Sequence, residues 1–381
     1  MQFAPTLALG KRVVVTRHAD VLEVLARDGD FTIAEVNGAT MDRVNGPFVL
    51  GMDRSPLALR ERRILDGCVR AGDDERIRGA VRADAAGMVD AARAAGRIDV
   101  VQGLARPVAV RLVGSFFGVP GPDEATMARW MRAIFHETFL NIGGDPAVRL
   151  AGERAGAELH AYSDALIAER QAQIAAGRPT PDDFLTRLVR AQADPETHLY
   201  DEGVRRNVGG VIVGAVDTTS KAVAHAVEQL LRHPDALATA QAAARAGDVE
   251  AVGRAAFEAL RFNPINPVLV RHAARDTELA AGTAWARRIP AGATVYAAVL
   301  AAMFDPAVFP DPDTFRTDRP AGAYLHFGDG LHACFGRFVN RIQIPEVIAA
   351  LLRLDGLRPV GRMAYDGPFP DRYVVAFGGA S

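Results

Sequence analysis

The segment from Phe327 to Gly336, F-G-D-G-L-H-A-C-F-G, contains Cys334, one of only two cysteines in the chain. Its glycines allow the backbone to approach a neighbouring group more closely than side chains would. The pattern predicts a helix that begins just after Cys334, and the N–H groups and positive end of such a helix lower the pKa of a nearby thiol. No second Cys or His stands at the spacing of a tetrahedral zinc site. A lone thiolate in a glycine loop favours an axial ligand of haem iron over a buried, inert cysteine.

A second glycine-rich stretch, V-G-G-V-I-V-G-A-V-D-T-T-S at positions 208–220, lies within a longer helical pattern. Gly209, Gly210 and Gly214 would each weaken a helix by about 1 kcal/mol relative to alanine. Their presence just before a pair of threonines predicts that this helix passes a bulky group and opens locally.

Both stretches carry motifs of one known family. F-G-x-G-x-H-x-C-x-G resembles the haem-binding loop of the cytochrome P450 family, the haem–thiolate monooxygenases. G-A-V-D-T resembles the acid–alcohol pair on the long distal helix of that family. Glu258 and Arg261, in E-A-L-R, match its buried structural ion pair. An isolated E-x-x-R occurs by chance in many helices, but the three motifs follow each other in the order and at intervals like those of the family.

The resemblance implies which residues surround a heme b cofactor (iron protoporphyrin IX). Cys334 is the expected iron ligand, and Arg62, Arg271 and His332 are the expected partners of the haem propionates. Family members often place a histidine four residues before this first arginine, where the chain has Ala58. The residues expected to shape the haem pocket are Phe327, Gly328, Gly336 and Ala215.

Asp217 and Thr218 are the expected catalytic residues under the same resemblance. A hydroxyl can hold dioxygen and an ordered water while an adjacent carboxylate links to solvent, so that protons arrive as dioxygen is reduced. Ala215 stands where the second small residue of the family is usually glycine, which narrows the groove. On the residues alone, the threonines could instead bond back to the preceding turn of their helix.

The resemblance implies a mainly α fold with a smaller β region, the cytochrome P450 fold. It also implies one domain over residues 1–381, with a short N-terminal segment relative to the family. Local patterns predict a strand at Lys11–Thr16, a helix at Ala19–Ala26, a loop at 31–51 and a helix that Ser55 caps. About half of the residues, 49%, are apolar, which is enough for a large core and an internal pocket.

Composition excludes several classes of function. The formal net charge of −2 offers no electrostatic basis for binding nucleic acid. Cys68 and Cys334 stand far apart and do not indicate a disulfide framework. No apolar run approaches the roughly 20 residues of a membrane span, and the N-terminus lacks the pattern of a signal peptide. The sequence therefore predicts a soluble, cytoplasmic protein, which within the family resembles the bacterial type.

The resemblance implies a monooxygenase that inserts one atom of O2 into a small organic substrate. Electrons would come from NAD(P)H through a separate ferredoxin or flavodoxin-type donor with its reductase, because no flavin or iron–sulfur segment is recognisable in the chain. Arg60, Arg63 and Arg70 near the first propionate arginine form either a solvated helix face or a docking surface for an acidic redox partner.

Two other functions stay open at this level. One is a haem–thiolate isomerase or dehydratase that needs no external electrons, although the intact acid–alcohol pair counts against it and against a peroxide-driven enzyme. The other is a haem-binding sensor without turnover. The predicted pocket segments, 31–51, 130–142, 265–270 and 369–371, mix apolar and polar residues, which is compatible with a medium-sized, partly polar substrate.

Overall fold

The structure is a computed structural model that describes residues 6–141 and 143–378. Helices account for most of its ordered backbone. In chain order they are α1 (His18–Ala26), α2 (Ala39–Val44), α3 (Pro56–Gly67), α4 (Asp73–Ala92), α5 (Arg106–Ser115), α6 (Glu124–Phe135), α7 (Pro146–Ala175), α8 (Phe184–Ala191), α9 (Asp201–Ile212), α10 (Asp217–Arg232), α11 (Pro234–Ala246), α12 (Val249–Phe262), α13 (Val299–Ala302) and α14 (Arg337–Leu352).

The strands form small sheets beside the helices. They are β1 (Thr6–Leu9), β2 (Arg12–Val15), β3 (Phe31–Thr32), β4 (Arg97–Asp99), β5 (Leu269–Ala273), β6 (Thr277–Leu279), β7 (Arg287–Ile289), β8 (Thr294–Ala297), β9 (Arg358–Pro359), β10 (Ala364–Asp366), β11 (Phe369–Arg372) and β12 (Val374–Ala376). The largest sheet has the order β1-β2-β8-β5-β3, in which only β2 and β8 pair in parallel. The observed architecture confirms a mainly α fold with a smaller β region.

The predicted N-terminal elements are confirmed within a residue or two by β2 and α1. Val13 and Val15 alternate with partly or fully exposed neighbours along β2, so one face of the sheet is buried in a small core with β8. Helix α3 begins as predicted, because the Ser55 side chain accepts a hydrogen bond from the Ala58 N–H at 3.1 Å. No helix in the described ranges is both long and apolar enough to cross a bilayer.

The prediction of a loop at 31–51 is wrong for part of that segment. A π-helical turn at Ala34–Gly38 runs into α2, whose Met41 and Val44 are buried in the helical core. The frequent glycines obscured the period of these apolar residues. The helical pattern emerges only because α7 and α9 cover one side of the segment.

The glycines of α9 provide space for this same segment. A Cβ at Gly210 would collide with the Phe48 ring, and one at Gly209 with the Asn45 side chain. The bulky group that α9 passes is therefore the 39–48 segment. The helix also opens where predicted, because α9 ends at Ile212 and α10 begins only at Asp217. This break places Gly214 and Ala215 in a turn between the two helices.

Glu258 on α12 is the centre of a buried ionic network. It pairs with Arg261 through two hydrogen bonds of 2.8 and 2.9 Å, and neither side chain is exposed. Its carboxylate also accepts bonds from the Arg319 guanidinium, the Arg316 N–H and the Tyr324 hydroxyl. The network thus ties α12 to the irregular segment that leads into the Cys334 loop.

We expect Glu258→Gln to lower the free energy of unfolding by about 3–5 kcal/mol, because it leaves two buried guanidinium groups without their carboxylate. Urea unfolding followed by circular dichroism measures the change. Glu250→Gln on the exposed first turn of the same helix is the matched control, and its midpoint should equal that of the parent protein. Equal midpoints for both variants would contradict the stabilising role of the network.

Candidate active site

Glycines set the shape of the Cys334 loop. Gly328 and Gly330 have φ angles of +64° and +70°, which glycine adopts without strain. At Gly330 a Cβ would also lie 2.7 Å from the Leu25 carbonyl oxygen, so the loop packs directly on α1. The Cys334 N–H donates to the Phe327 carbonyl at 2.8 Å, and α14 begins three residues later. The loop therefore holds the sulfur just before a helix N-terminus, as the sequence predicts.

The thiol of Cys334 does not ionise readily in the protein alone. Burial raises its pKa, against the opposing effects of the Gly336 N–H and of the Arg62 and Arg337 charges. The pKa-lowering effects of the loop N–H groups that the sequence predicts are present, and the effect of burial opposes them. No cluster of three or more His, Cys, Asp or Glu that could hold a metal exists within residues 6–141 and 143–378.

Arg62 lies against the backbone of the same loop. Its guanidinium donates to the Ala333 carbonyl at 2.8 Å and to the Leu331 carbonyl at 3.4 Å, and its Nε donates to Asp66 at 3.2 Å. The arginine thus fixes the carbonyl groups next to Cys334. Contact of Arg62 with a haem propionate stays a prediction.

Arg271 and His332 are buried groups with unused hydrogen-bonding capacity. Arg271 on β5 is 4% exposed, and the bond that its side chain makes runs from Nη1 to the Val270 carbonyl. Its Nε and the Nδ1 of His332 are buried without partners in the described part of the chain, while His332 Nε2 bonds the Met52 carbonyl at 2.9 Å. Burial alone lowers the pKa of Arg271 to about 10, since no carboxylate offsets it. An anionic group with several acceptor oxygens, such as a haem propionate, fits this place.

The remaining predicted pocket residues lie around the sulfur and the helix break. The Phe327 ring meets the Phe257 ring edge to face at a centroid distance of 6.0 Å. A Cβ at Gly336 would lie 3.3 Å from the Cys334 sulfur, so glycine keeps that side of the sulfur open. Ala215 is partly buried in the turn between α9 and α10. The residues present therefore fit a flat group bound between the loop and that turn.

Asp217 begins α10 and is enclosed by two arginines. Its Oδ1 accepts bonds from Arg106 at 3.2 Å and from Arg132 at 3.0 Å, and its side chain is 3% exposed. The Oδ2 atom has no partner among the described residues. Arg132 also bonds Asp366, which is largely exposed, at 2.8 Å. The carboxylate is thus buried, and one arginine links it to a surface carboxylate.

Thr218 follows Asp217 and lines the same small pocket. Its hydroxyl donates to the carbonyl of Gly214, four residues earlier, which is the bond back to the preceding turn that the residues alone left open; Thr219 bonds Asn340 instead. Lys221 and Asn266 are the other polar side chains of the pocket, and its apolar wall includes Phe135 and Phe369. The predicted segments 130–142, 265–270 and 369–371 each contribute to it, although residue 142 lies outside the described residues.

A model of one protein family, described as Cytochrome P450, matches residues 124–354, which is more than half of the chain. The chain belongs to the cytochrome P450 family. Mycinamicin IV hydroxylase/epoxidase of Micromonospora griseorubida is 31% identical over 358 residues, which cover 91% of this chain and 82% of that protein. Cytochrome P450 monooxygenase PikC of Streptomyces venezuelae is 31% identical over 269 residues, 70% of this chain and 59% of PikC.

The fold of this P450 is likewise similar to solved P450 structures. CalO2 superposes with a TM-score of 0.84 at 26% identity, over 98% of this chain and 93% of that one. CYP109Q5 from Chondromyces apiculatus superposes with a TM-score of 0.81 at 22% identity. With relatives named as monooxygenases, hydroxylases and epoxidases, the chain is an oxidoreductase of the P450 monooxygenase kind.

Sequence reasoning missed several side chains of this P450 site. Arg106 and Arg132 come from segments without any motif, so no local pattern signals their contact with Asp217. Asn340 on α14 is a further such residue, and its side chain accepts a bond of 3.1 Å from the Thr219 hydroxyl. This contact joins α10 to the helix that follows Cys334. Lys221 could have been noticed as one of only two lysines.

We expect Arg271→Ala to weaken haem retention by roughly tenfold or more, because it removes the charge-assisted hydrogen bonds to a propionate. Transfer of haem from the purified protein to apomyoglobin measures the rate of loss. Arg288→Ala, on the neighbouring surface strand β7, is the control and should retain haem like the parent. An unchanged rate of transfer for Arg271→Ala would remove it from the set of propionate ligands.

Proposed function

We propose that this P450 uses heme b, with the Cys334 thiolate as axial ligand, to insert one atom of O2 into a small organic substrate while the other leaves as water. A bound haem supplies the activation of dioxygen, which amino-acid side chains cannot provide. The observation that carries the proposal is the Cys334 loop, which holds a single thiol before a helix N-terminus and also carries His332, near the buried Arg271 that has no anion. The family match supports it independently.

The loop and its neighbours would hold this cofactor from several sides. Arg271 and His332 would bind propionate oxygens through the atoms that otherwise lack partners. Arg62 keeps the loop carbonyls in place and adds positive charge near the sulfur. Phe327 and Gly336 would leave room for a flat ring beside Cys334. A thiolate bound to iron needs no other acid–base partner to remain deprotonated.

Asp217 and Thr218 would manage protons during the reaction. The Thr218 hydroxyl lies at the helix break, where it can exchange its bond to Gly214 for a bond to dioxygen or water. Asp217 has a free carboxylate oxygen and contacts Arg132, which reaches the surface carboxylate of Asp366. A rotation of Arg132 toward Asp366 would open the Asp217 carboxylate to water. The two residues therefore offer a route from solvent to the pocket.

Electrons would come from NAD(P)H through a separate ferredoxin or flavodoxin-type donor and its reductase. The chain has two cysteines, too few for the four thiolates of an iron–sulfur cluster. Both cysteines are free thiols, which suits a reducing, cytoplasmic setting. Of the arginines considered for docking such a donor, Arg70 pairs with Asp182 at the surface, and Arg63 bonds the Leu59 carbonyl of its own helix. Their role in docking stays a hypothesis.

Cys334→Ser tests the central assignment, with Cys68→Ser as a control at the only other cysteine. Cys68 is buried, and burial raises its pKa to about 11, so it stays a neutral thiol. We expect the reduced, CO-treated Cys334→Ser protein to lose the long-wavelength Soret band of a thiolate ligand, and Cys68→Ser to keep it. A spectrum of Cys334→Ser identical to the parent would show that another residue binds the iron.

We expect Thr218→Ala to divert reducing equivalents to hydrogen peroxide, because it removes the hydroxyl that positions dioxygen and water. The measurement is the ratio of hydrogen peroxide formed to NADPH consumed with a surrogate ferredoxin and reductase. This ratio should rise several-fold. Thr219→Val is the control, since that hydroxyl bonds Asn340 on another side of the helix. Coupling of Thr218→Ala at the level of the parent would contradict its role in proton handling.

The same assay separates the monooxygenase from the two other functions. A haem-binding sensor would consume no NADPH beyond the background rate with any ligand that shifts its Soret band. An isomerase or dehydratase would convert its substrate without NADPH and without dioxygen. NADPH consumption that is coupled to an oxygenated product is the outcome expected here.

A further inference from the structure

Lys221 is an unusual residue of the pocket. The chain has 44 basic residues, of which only Lys11 and Lys221 are lysines. Lys11 is exposed in a turn before β2, whereas Lys221 lies on α10, one turn after Asp217, and lines the pocket with Thr218. A lysine ammonium is a compact point charge, unlike the planar guanidinium that the chain uses almost everywhere else.

The direction of Lys221 follows from the geometry of α10. Thr219 bonds Asn340 on α14, which is the helix that begins after the Cys334 loop. At 3.6 residues per turn, a residue two positions later points about 200° around the helix axis. Lys221 therefore projects away from α14 and toward Ile265 and Asn266, which also line the pocket.

Within the described residues, no carboxylate pairs with the Lys221 ammonium, although three are near the pocket. Asp217 is bonded by Arg106 and Arg132, and Asp366 by Arg132 as well. The carboxylate of Asp371 is bonded by the Gln102 side chain. Burial lowers the pKa of Lys221, and no neighbouring charge offsets that effect.

His225, the next polar residue on this face of α10, does not bond the Lys221 ammonium either. Its Nδ1 is 3.1 Å from the Asn263 carbonyl and its Nε2 is 3.4 Å from the Tyr365 hydroxyl. Burial lowers its pKa to about 4, so the ring is neutral near pH 7. Lys221 is thus a charged side chain on this face that has no ion-pair partner among the described residues.

We propose that Lys221 binds a carboxylate of the substrate, so that this P450 acts on amphipathic carboxylic acids. Asn266 is exposed on the same wall and can donate a second hydrogen bond to the carboxylate. Phe135, Ile265 and Phe369 provide an apolar surface for the rest of the molecule. The two arginines on Asp217 limit its repulsion of an anion bound nearby. The inference rests on the proposed function, because it names the substrate class of the same site.

The test uses the haem-loaded protein and three matched pairs of ligands: dodecanoate, cholate and 4-phenylbutanoate, each with its primary amide. Soret titration and equilibrium dialysis give the affinities. We expect at least one acid to bind about tenfold or more tightly than its amide, as for a hydrogen bond to a charged group. Lys221→Met should abolish this preference, Lys221→Arg should retain part of it, and Lys11→Met should keep it fully.

A second readout does not depend on the haem spectrum. Brief acetylation of the lysines, followed by mass spectrometry, reports the reactivity of Lys221 with Lys11 as internal control. The bound acid should protect Lys221 at least threefold and leave Lys11 unchanged. Failure of all three acids to protect Lys221, or an unchanged preference in Lys221→Met, would overturn the inference. A normal reduced–CO spectrum together with that failure would leave the monooxygenase assignment intact, whereas loss of the spectrum would overturn the assignment itself.

Discussion

An ionic group buried without a partner is costly, and Arg271, near His332 of the Cys334 loop, is such a group. Burial raises the pKa of the Cys334 thiol, so the protein alone does not hold a thiolate there. Arg271 is a buried cation without a carboxylate, and His332 keeps an unpartnered ring nitrogen. Under the proposed function, haem would present a metal cation to the sulfur and carboxylates to the arginine, and it would thereby supply a partner to both. Cofactor binding would therefore supply the partners that these buried groups lack in the protein alone.

Two other buried ionic groups, Glu258 and Asp217, are paired with residues of the chain itself. Glu258 receives two buried guanidinium groups and a tyrosine hydroxyl, which ties α12 to the segment that enters the loop. Asp217 receives two arginines, which tie the start of α10 to α6 and to the strand β11. The loop and the helix break are therefore positioned by paired charges on either side. Arg271 differs from these paired groups, because its buried guanidinium has no carboxylate partner among the described residues.

The sequence predicted the features whose residues are close together along the chain, and it did not predict contacts between distant residues. The glycines around Cys334, the Ser55 cap and the weak point in the 208–220 pattern are local, and the structure contains the elements expected from them. The arginines on Asp217 lie 111 and 85 residues away along the chain, so that only the tertiary fold brings them together. The helix in the 31–51 segment was missed for the same reason. Its apolar face acquires a partner only when α7 and α9 are in place.

One face of helix α10 carries both Asp217 and Lys221, to which we assign different roles. Asp217, Lys221 and His225 follow each other at intervals of four residues, so they share a face of the helix. A lysine one turn from an aspartate would ordinarily pair with it. The two arginines already occupy the aspartate oxygen that accepts hydrogen bonds, and they come from other elements. Because both arginines reach the Oδ1 atom of Asp217 from outside the helix and Lys221 bonds neither oxygen, the ammonium of Lys221 stays available to a ligand. In the proposed function, proton handling by Asp217 and recognition of the substrate charge by Lys221 would thereby be separated by a single turn.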